Sequence, residues 1–310
     1  MEISYNLSDN KKYKNVALTV GFYDGVHKGH QRIIKELVKR AKIIRGESCL
    51  VTFNPHPSEL FSHQIFPLLT TLEEKKEIFA KLNVDLVVVF NFTSQFASLS
   101  PGSFIKRLKE NIDIKEIIVG EDFVFGRKQE GDVQWLKNSE GVFRYKLRVI
   151  SLLGTEEEKI SSSLIRELLR KGEIGKVIQY LAHPPTIIGK IVKGRRRGHL
   201  LGYPTANLET HPCKILPSPG VYAGKVILGE KTYKGIVNVG DKPTFGDSSF
   251  GVEVHIIDFR GEIYGKTIKI ELIDKMRKIE EFPSPLYLSE KLKEDRERAE
   301  KILSEVGRQK

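Results

Sequence analysis

The stretch Val16–Arg32, VALTVGFYDGVHKGHQR, decides how the rest of the chain is read. It opens as a short apolar run with β-branched members, the composition of a buried strand, and the run breaks at Gly21. From Gln31 the period changes. Ile33, Ile34, Leu37, Val38 and Ala41 recur at helical spacing, with Lys35, Glu36, Lys39 and Arg40 on the other side. The pattern predicts a strand, a glycine turn and an amphipathic helix, with Gly21, Asp24, Gly25, His27, Gly29 and His30 in the connection.

That order has an electrostatic consequence. The first turn of a helix presents unpaired N–H groups and a partial positive charge, and glycines let phosphates come close to the backbone. The connection is therefore expected to hold an anion. His27 and His30, three residues apart, are placed to reach one phosphate group together. Phosphoryl and nucleotidyl transfer ask for little beyond positioning and stabilisation of charge on the phosphorus oxygens. An H-x-x-H alone is also what a solvated turn looks like; the strand, the glycines, Asp24 and both histidines together favour chemistry. The chain has no G-x-x-x-x-G-K-[ST] run, so an ordinary P-loop is excluded.

The 310 residues suffice for two ordinary domains with real cores. Apolar runs such as Leu86–Phe90 are too short to cross a bilayer and no secretory signal is visible, so a cytoplasmic location is expected. Cys49 and Cys213 lack partners at metal-ligand spacing and read as free thiols. The net charge of +11 favours anionic partners.

Further runs at Ser48–Phe53, Asp85–Phe90, Glu116–Gly120 and Arg148–Leu153 read as strands, with helices over Leu72–Leu82 and Gly102–Lys109. This alternation is that of a doubly wound parallel sheet, an α/β domain, and ligands gather beyond the carboxyl ends of such strands. On that rim fall Asn54-Pro55-His56-Pro57, where the prolines read as strand stops, and Glu121–Gly126, whose aromatics suit either a flat ring ligand or a satellite core. Ile160–Arg166, with three serines, reads as a helix cap and also as a second set of phosphate donors with Arg166. His183-Pro184-Pro185 marks a boundary, giving expected domains 1–183 and 184–310.

Beyond it Ile187–Val192, Tyr222–Leu228, Tyr233–Val239, Val252–Phe259 and Thr267–Ile273 read as strands without helices between them, a small antiparallel β-barrel, followed by one charged amphipathic helix over Leu286–Val306. Gly194–Gly202, with Arg195–Arg197, is a basic glycine-bounded loop that suits phosphates or a solvated cluster. It runs into Tyr203-Pro204-Thr205-Ala206-Asn207, where Pro204-Thr205 also reads as a turn into a strand. Strand alternation puts Glu253 and His255 on one face, either as an ion pair or as a general base with a neighbour.

Eight motifs, GFYDGVHKGH, NPHP, GEDFVFG, ISSSLIR, LGYPTANL, GVYAGKV, NVGDKPTFG and EVHIIDF, occur in this order across nearly the whole chain. Together they resemble the prokaryotic bifunctional riboflavin kinase/FMN adenylyltransferase family. The resemblance implies a nucleotidyltransferase domain that transfers AMP from ATP to FMN, giving FAD and pyrophosphate. In it His27 and His30 would stabilise the reacting phosphates, with Gly21, Phe22, Asp24 and Gly29 at ATP. Ser162, Ser163 and Arg166 would hold pyrophosphate, and Asn54, His56, Pro57, Asp122 and Phe123 would lie near FMN.

For the barrel the resemblance implies riboflavin phosphorylation with ATP and magnesium. Thr205 and Asn207 are expected at the metal and phosphates, Gly194, Gly198, Gly202 and Pro204 at ATP, and Glu253 as general base. Tyr23 and Tyr203 stand where the family usually has Phe. The family commonly places an arginine at the position of Glu300, which leaves Arg296 or Arg298 to serve the flavin. Small molecules are the expected partners: the positive charge is spread through both domains, so neither nucleic acid nor a membrane is expected, and oligomeric state stays open.

Overall fold

The computed structural model describes residues 1–7, 11–56, 66–151, 160–192, 203–242 and 247–308. The chain divides into two compact units, residues 1–66 with 75–160 and residues 67–74 with 161–310.

In the first unit the strands are β1 (Glu2–Tyr5), β2 (Tyr13–Val20), β3 (Glu47–Asn54), β4 (Leu86–Asn91), β5 (Ile112–Gly120), the short pair β6 (Val124–Phe125) and β7 (Gly131–Asp132), and β8 (Lys146–Ile150). Six of them form one sheet in the order β1-β4-β3-β2-β5-β8, and every neighbouring pair is parallel. The central strands are buried along their length, as Val87–Phe90 and Cys49–Phe53 show, because both faces of such a sheet are covered. Helix α1 (Lys28–Ile43) buries Ile33, Ile34, Leu37 and Ala41, the stripe expected from its spacing. Helices α2 (Leu72–Lys81), α3 (Ser94–Ala97), α4 (Pro101–Lys109) and α5 (Val133–Phe143) complete the alternation.

Two of these elements lacked a clear signal. The four residues of β1 are too few to show a period, and their pairing with Leu86–Val89 supplies what the local sequence does not. Helix α5 has a broken apolar stripe, but Asp132 caps it by accepting from the Trp135 N–H at 2.7 Å. The strand expected over Arg148–Leu153 instead covers Lys146–Ile150, and residues 152–159 lie outside the described residues.

From β2 the sheet grows through β3 and β4 on one side and through β5 and β8 on the other. The carboxyl ends of β2 and β5 therefore flank the topological switch point, where open α/β sheets take ligands. Glu116 on β5 is buried and accepts from Arg40 on α1 (2.7 Å twice) and from Arg148 on β8 (2.8 Å), which fixes α1 against the sheet.

The second unit holds helices α6 (Ser162–Lys171) and α7 (Ile174–Leu181), which precede the Pro184-Pro185 pair in sequence yet pack with the barrel; the Ser218 N–H donates to Leu169 O at 3.1 Å. Its strands are β9 (Thr186–Val192), β10 (Ala206–Thr210), β11 (Gly220–Leu228), β12 (Lys231–Lys242), β13 (Asp247–Ile256) and β14 (Thr267–Arg277). They close as an antiparallel barrel in the order β10-β13-β12-β11-β14-β9. Residues 203–205 have no regular structure and lead into β10, the sixth stave.

Alternate residues, among them Tyr222, Val226, Val237, Val239, Val252, Val254, Ile268 and Ile270, are buried as the barrel's filling. The opposite face of β11, β12 and β14 contributes Val221, Ala223, Ile236, Ile273 and Met276, which pack with Ala299 and Leu303 of the last helix, α8 (Pro285–Arg308). Arg277 anchors that helix through a paired contact to the buried Asp295 at 2.8 and 2.9 Å. No helix among the described residues is long and apolar enough to cross a membrane.

Candidate active sites, one in each unit

The first site lies where β2 hands over to α1. Three residues of the connection have left-handed backbone, Tyr23 (φ 53°), Gly25 (φ 83°) and Val26 (φ 42°), and the chain folds tightly before the helix begins. His27 is the N-cap of α1, its Nδ1 accepting the His30 backbone N–H at 3.4 Å. That bond leaves no proton on Nδ1, so the neutral ring carries its proton on Nε2. The His27 and His30 rings stack at 3.6 Å between centroids and 20° between planes.

Burial pushes the His27 imidazole down to about 4, against the opposing pull of Asp24 and Asp122. His30 is held well below the usual histidine range by burial, and then by His27 and Lys75. Both rings are therefore neutral at pH 7. The first turn of α1 has no acidic side chain, so its exposed N–H groups keep their positive potential for an anion. The buried Nδ1 of His30 has no hydrogen-bond partner among the described residues.

The surroundings explain why the rings stay in place. Tyr23 is buried, touches His30 edge-on at 5.2 Å, and shares a hydrogen bond with Thr19 Oγ1 at 2.7 Å; Thr19 in turn donates to Ile118 O. The extra hydroxyl relative to Phe is thus satisfied. Lys75 on α2, itself buried, donates to Phe22 O at 3.1 Å and puts a positive charge near His30. Sequence reasoning missed it, because one lysine among the charges of α2 carries no local mark. A Cβ on Gly21 would come within 3.0 Å of the Tyr23 ring, so that position has no room for a side chain.

Asp122, beyond β5, acts on His27 and stands on the same rim as the histidines, as the switch point requires. Aromatic rings line this part of the unit. His56 stacks on Phe66 (4.1 Å, 6°) and tilts against Phe22 (4.7 Å), while Phe22 also meets Phe53 and Phe92. Phe123 stacks on Phe125 at 5.4 Å; Phe125 is core, and Phe123 is half-buried and packs against the same core. Asn54 closes β3 and is exposed. Pro57 lies outside the described residues.

The serine run also divides its work. Ser161 is the N-cap of α6, accepting from the Leu164 N–H at 3.2 Å, so capping does not explain Ser162 or Ser163. Arg166 is buried and donates from Nε to Pro67 O at 2.8 Å. These residues belong to the second compact unit and the histidines to the first.

The second site lies on the barrel. Glu253 on β13 pairs directly with Asn207 on β10 and with Asn238 on β12. Directly paired residues share a face with Cβ atoms about 5 Å apart, so a carboxylate stands between two carboxamides. Glu253 is half-buried on the face opposite Val252 and Val254, and solvent reaches it. Thr205, just before β10, is half-buried and Pro204 exposed. Asn238 was missed: it lies between Val237 and Val239 with no local mark, and register alone brings it to Glu253.

His255 shares the face of Glu253 and is buried. Its Nδ1 donates to Pro204 O at 2.9 Å, and Tyr203 lies edge-on to the ring at 5.4 Å, so the ring holds the segment before Thr205. Burial, opposed by that hydrogen bond, lowers its pKa and keeps it neutral at pH 7. On α8, Arg296 donates to Asp258 Oδ1 at 2.7 Å and to Glu300 Oε1 at 3.0 Å. Arg298 is exposed, and Glu300 is an ion-pair partner of Arg296. The phosphate loop expected at Gly194, Gly198 and Gly202 lies outside the described residues. Among the described residues no group of three or more His, Cys, Asp or Glu could hold a metal ion.

Comparison with known proteins gives the same division. The FAD synthetase family profile matches residues 9–164 and the riboflavin kinase profile residues 181–303. The bifunctional riboflavin kinase/FMN adenylyltransferase of Listeria monocytogenes is 36% identical over 265 residues, 83% of this chain and 82% of that protein. The protein of the same name from Bacillus subtilis is 32% identical over 308 residues, 97% of this chain and 96% of that one. A crystal structure from Streptococcus pneumoniae, described as a macrolide-efflux protein, superposes with a TM-score of 0.83 at 28% identity, covering 97% of this chain and 99% of that chain. With two profiles in this order and relatives matched over nearly their whole length, the chain belongs to the bifunctional riboflavin kinase/FMN adenylyltransferase family.

Proposed function

We propose that the chain phosphorylates riboflavin to FMN at the barrel and adenylylates FMN to FAD at the parallel-sheet unit, using one ATP for each step. The observation that carries this reading is the pairing of two neutral, stacked imidazoles at an acid-free helix N-terminus with, in the other unit, a carboxylate flanked by two carboxamides.

In adenylylation an FMN phosphate oxygen attacks the α-phosphorus of ATP, the bond to the β-phosphate breaks, and pyrophosphate leaves. His27, kept neutral by burial, donates from Nε2 to the phosphate oxygens, and His30 stacks against its ring. The α1 N–H groups add donors that need no reorganisation. Ser162, Ser163 and Arg166 receive the pyrophosphate. Gly21, Phe22, Asp24 and Gly29 form the ATP side, and Asn54, His56, Pro57, Asp122 and Phe123 the FMN side, where aromatic faces suit a flat ring.

In phosphorylation Glu253 orients the ribityl hydroxyl and takes its proton as that oxygen attacks the γ-phosphorus. Thr205 and Asn207 offer hard oxygen atoms of the kind magnesium takes alongside substrate phosphates, and they would hold that ion. When bound, it neutralises charge on the transferred phosphate. Asn238 fixes the Glu253 carboxylate, His255 holds the Pro204-Thr205 segment, and Arg296 contacts the flavin. Incubation with riboflavin, ATP and magnesium, followed by chromatographic separation of the flavins, is expected to yield FMN and then FAD; absence of either product refutes the reading.

A further inference from the structure

Arg166 is oriented by a hydrogen bond to a backbone carbonyl, and the residues that follow that carbonyl are held within the same unit. Its Nε donates to Pro67 O at 2.8 Å. The residues that follow Pro67 are bound to the segment before β11: the Leu68 N–H donates to Cys213 O at 2.7 Å and the Ile215 N–H to Leu68 O at 3.0 Å, a short parallel bridge. Lys214, at the centre of that bridge, extends its ammonium to Leu69 O at 2.7 Å and to Glu74 Oε2 at 2.7 Å.

The pair is sealed, with side-chain exposures of 3% for Lys214 and 1% for Glu74. Glu74 is fully engaged. Its Oε2 also accepts the Thr71 N–H (2.9 Å) while Thr71 Oγ1 accepts the Glu74 N–H (3.3 Å), a reciprocal cap at the start of α2, and its Oε1 accepts the Ile188 N–H of β9 at 3.1 Å. Removing one member of such a pair leaves the other charge buried without its counter-ion, and the backbone around it must move.

We propose that Lys214, within the stretch matched by the riboflavin kinase profile, is a positioning residue for Arg166 and thereby for FMN adenylylation. The ammonium fixes Leu69 and Glu74, the bridge fixes Leu68, and Pro67 O then sets the plane of the Arg166 guanidinium. A planar guanidinium recognises phosphate by direction as well as charge, so a shift of its backbone partner weakens pyrophosphate binding while leaving its charge intact. This rests on the reading above that Arg166 holds pyrophosphate.

The test runs adenylylation in reverse, FAD plus pyrophosphate, on the full chain, with riboflavin phosphorylation measured beside it. Lys214→Met is expected to raise the KM for pyrophosphate roughly tenfold with riboflavin phosphorylation within twofold of the parent, and Lys214→Arg to recover most of the loss. An unchanged KM, a parallel fall of both activities, or no recovery in Lys214→Arg overturns the proposal. Should Lys214→Met fail to fold, Glu74→Gln carries the same readout. Arg166→Ala separates the two readings: if it leaves the pyrophosphate KM unchanged, the role of Arg166 itself is refuted, and if it raises that KM while Lys214→Met does not, the positioning role of Lys214 is refuted.

Discussion

The parallel-sheet site and the barrel site both handle ATP in our reading, yet they are built by different means. The first is made by a turn: left-handed backbone at Tyr23, Gly25 and Val26 delivers His27 to a helix end, and burial then sets the charge of both imidazoles. The second is made by register: Asn207, Glu253 and Asn238 meet because three strands pair in one alignment, on a face that solvent reaches. A turn-built site depends on local backbone and desolvation, a register-built one on long-range pairing and a half-buried carboxylate.

The sharpest test of that contrast is at the two chemical centres. Glu253→Ala is expected to lower riboflavin phosphorylation by about 10²–10⁴-fold while supplied FMN is still adenylylated, because a general base contributes that much and the other site is untouched. His27→Ala with His30→Ala should do the reverse, costing about 10²–10³-fold in FAD formation, the range for lost transition-state donors, with FMN formation intact. Flavin chromatography after each incubation reads both; any other partition breaks the comparison.

A smaller effect is expected at Asn238, in the barrel alone. Asn238→Ala removes a neighbour of a charged group, worth about 1.5–3 kcal/mol, and should slow riboflavin phosphorylation about 10- to 100-fold without moving the FAD step. Glu116→Gln probes the scaffold of the turn-built site. Hydrogen bonds from Arg40, joined by Arg148 and opposed by burial, hold the Glu116 carboxyl at about 2 rather than its ordinary 4.5. Its contribution is therefore complete above about pH 4.5 and is lost as pH falls toward 2. The variant should lose about 2 kcal/mol at pH 7, since one arginine is partly exposed, and show a flatter acid limb in thermal melts.

The smallest effect is a pH independence. With His27 titrating near 4, FAD formation should show no histidine inflection between pH 8 and 5.5. A limb near the ordinary histidine value of 6.5 would mean that the rings are charged at work and that desolvation does not govern the site.

Much of both folds was legible. The period change after Gly21, the apolar runs of β3 and β4, and the glycine-spaced strands after Pro185 each carry their own signal, since burial on one stripe or on both faces dictates residue type. Where legibility failed, the cause was length or distance. Strand β1 is four residues long, and Asn238 and Lys75 acquire meaning only from partners far along the chain.

What the sequence determined by itself was therefore a set of candidate carriers: paired histidines after a glycine turn, a serine run with Arg166, and a carboxylate on an alternating strand. These are local patterns, which sterics and helix electrostatics make visible and to which the family resemblance gives roles. Only the tertiary structure decided the protonation of His27 and His30, the company of Glu253, the pairing of Arg296 with Asp258 and Glu300, and the hold of Lys214 on Leu69 and Glu74. Each of these depends on how much water is excluded or on which distant strand lies alongside, and neither quantity is written in any short run of residues.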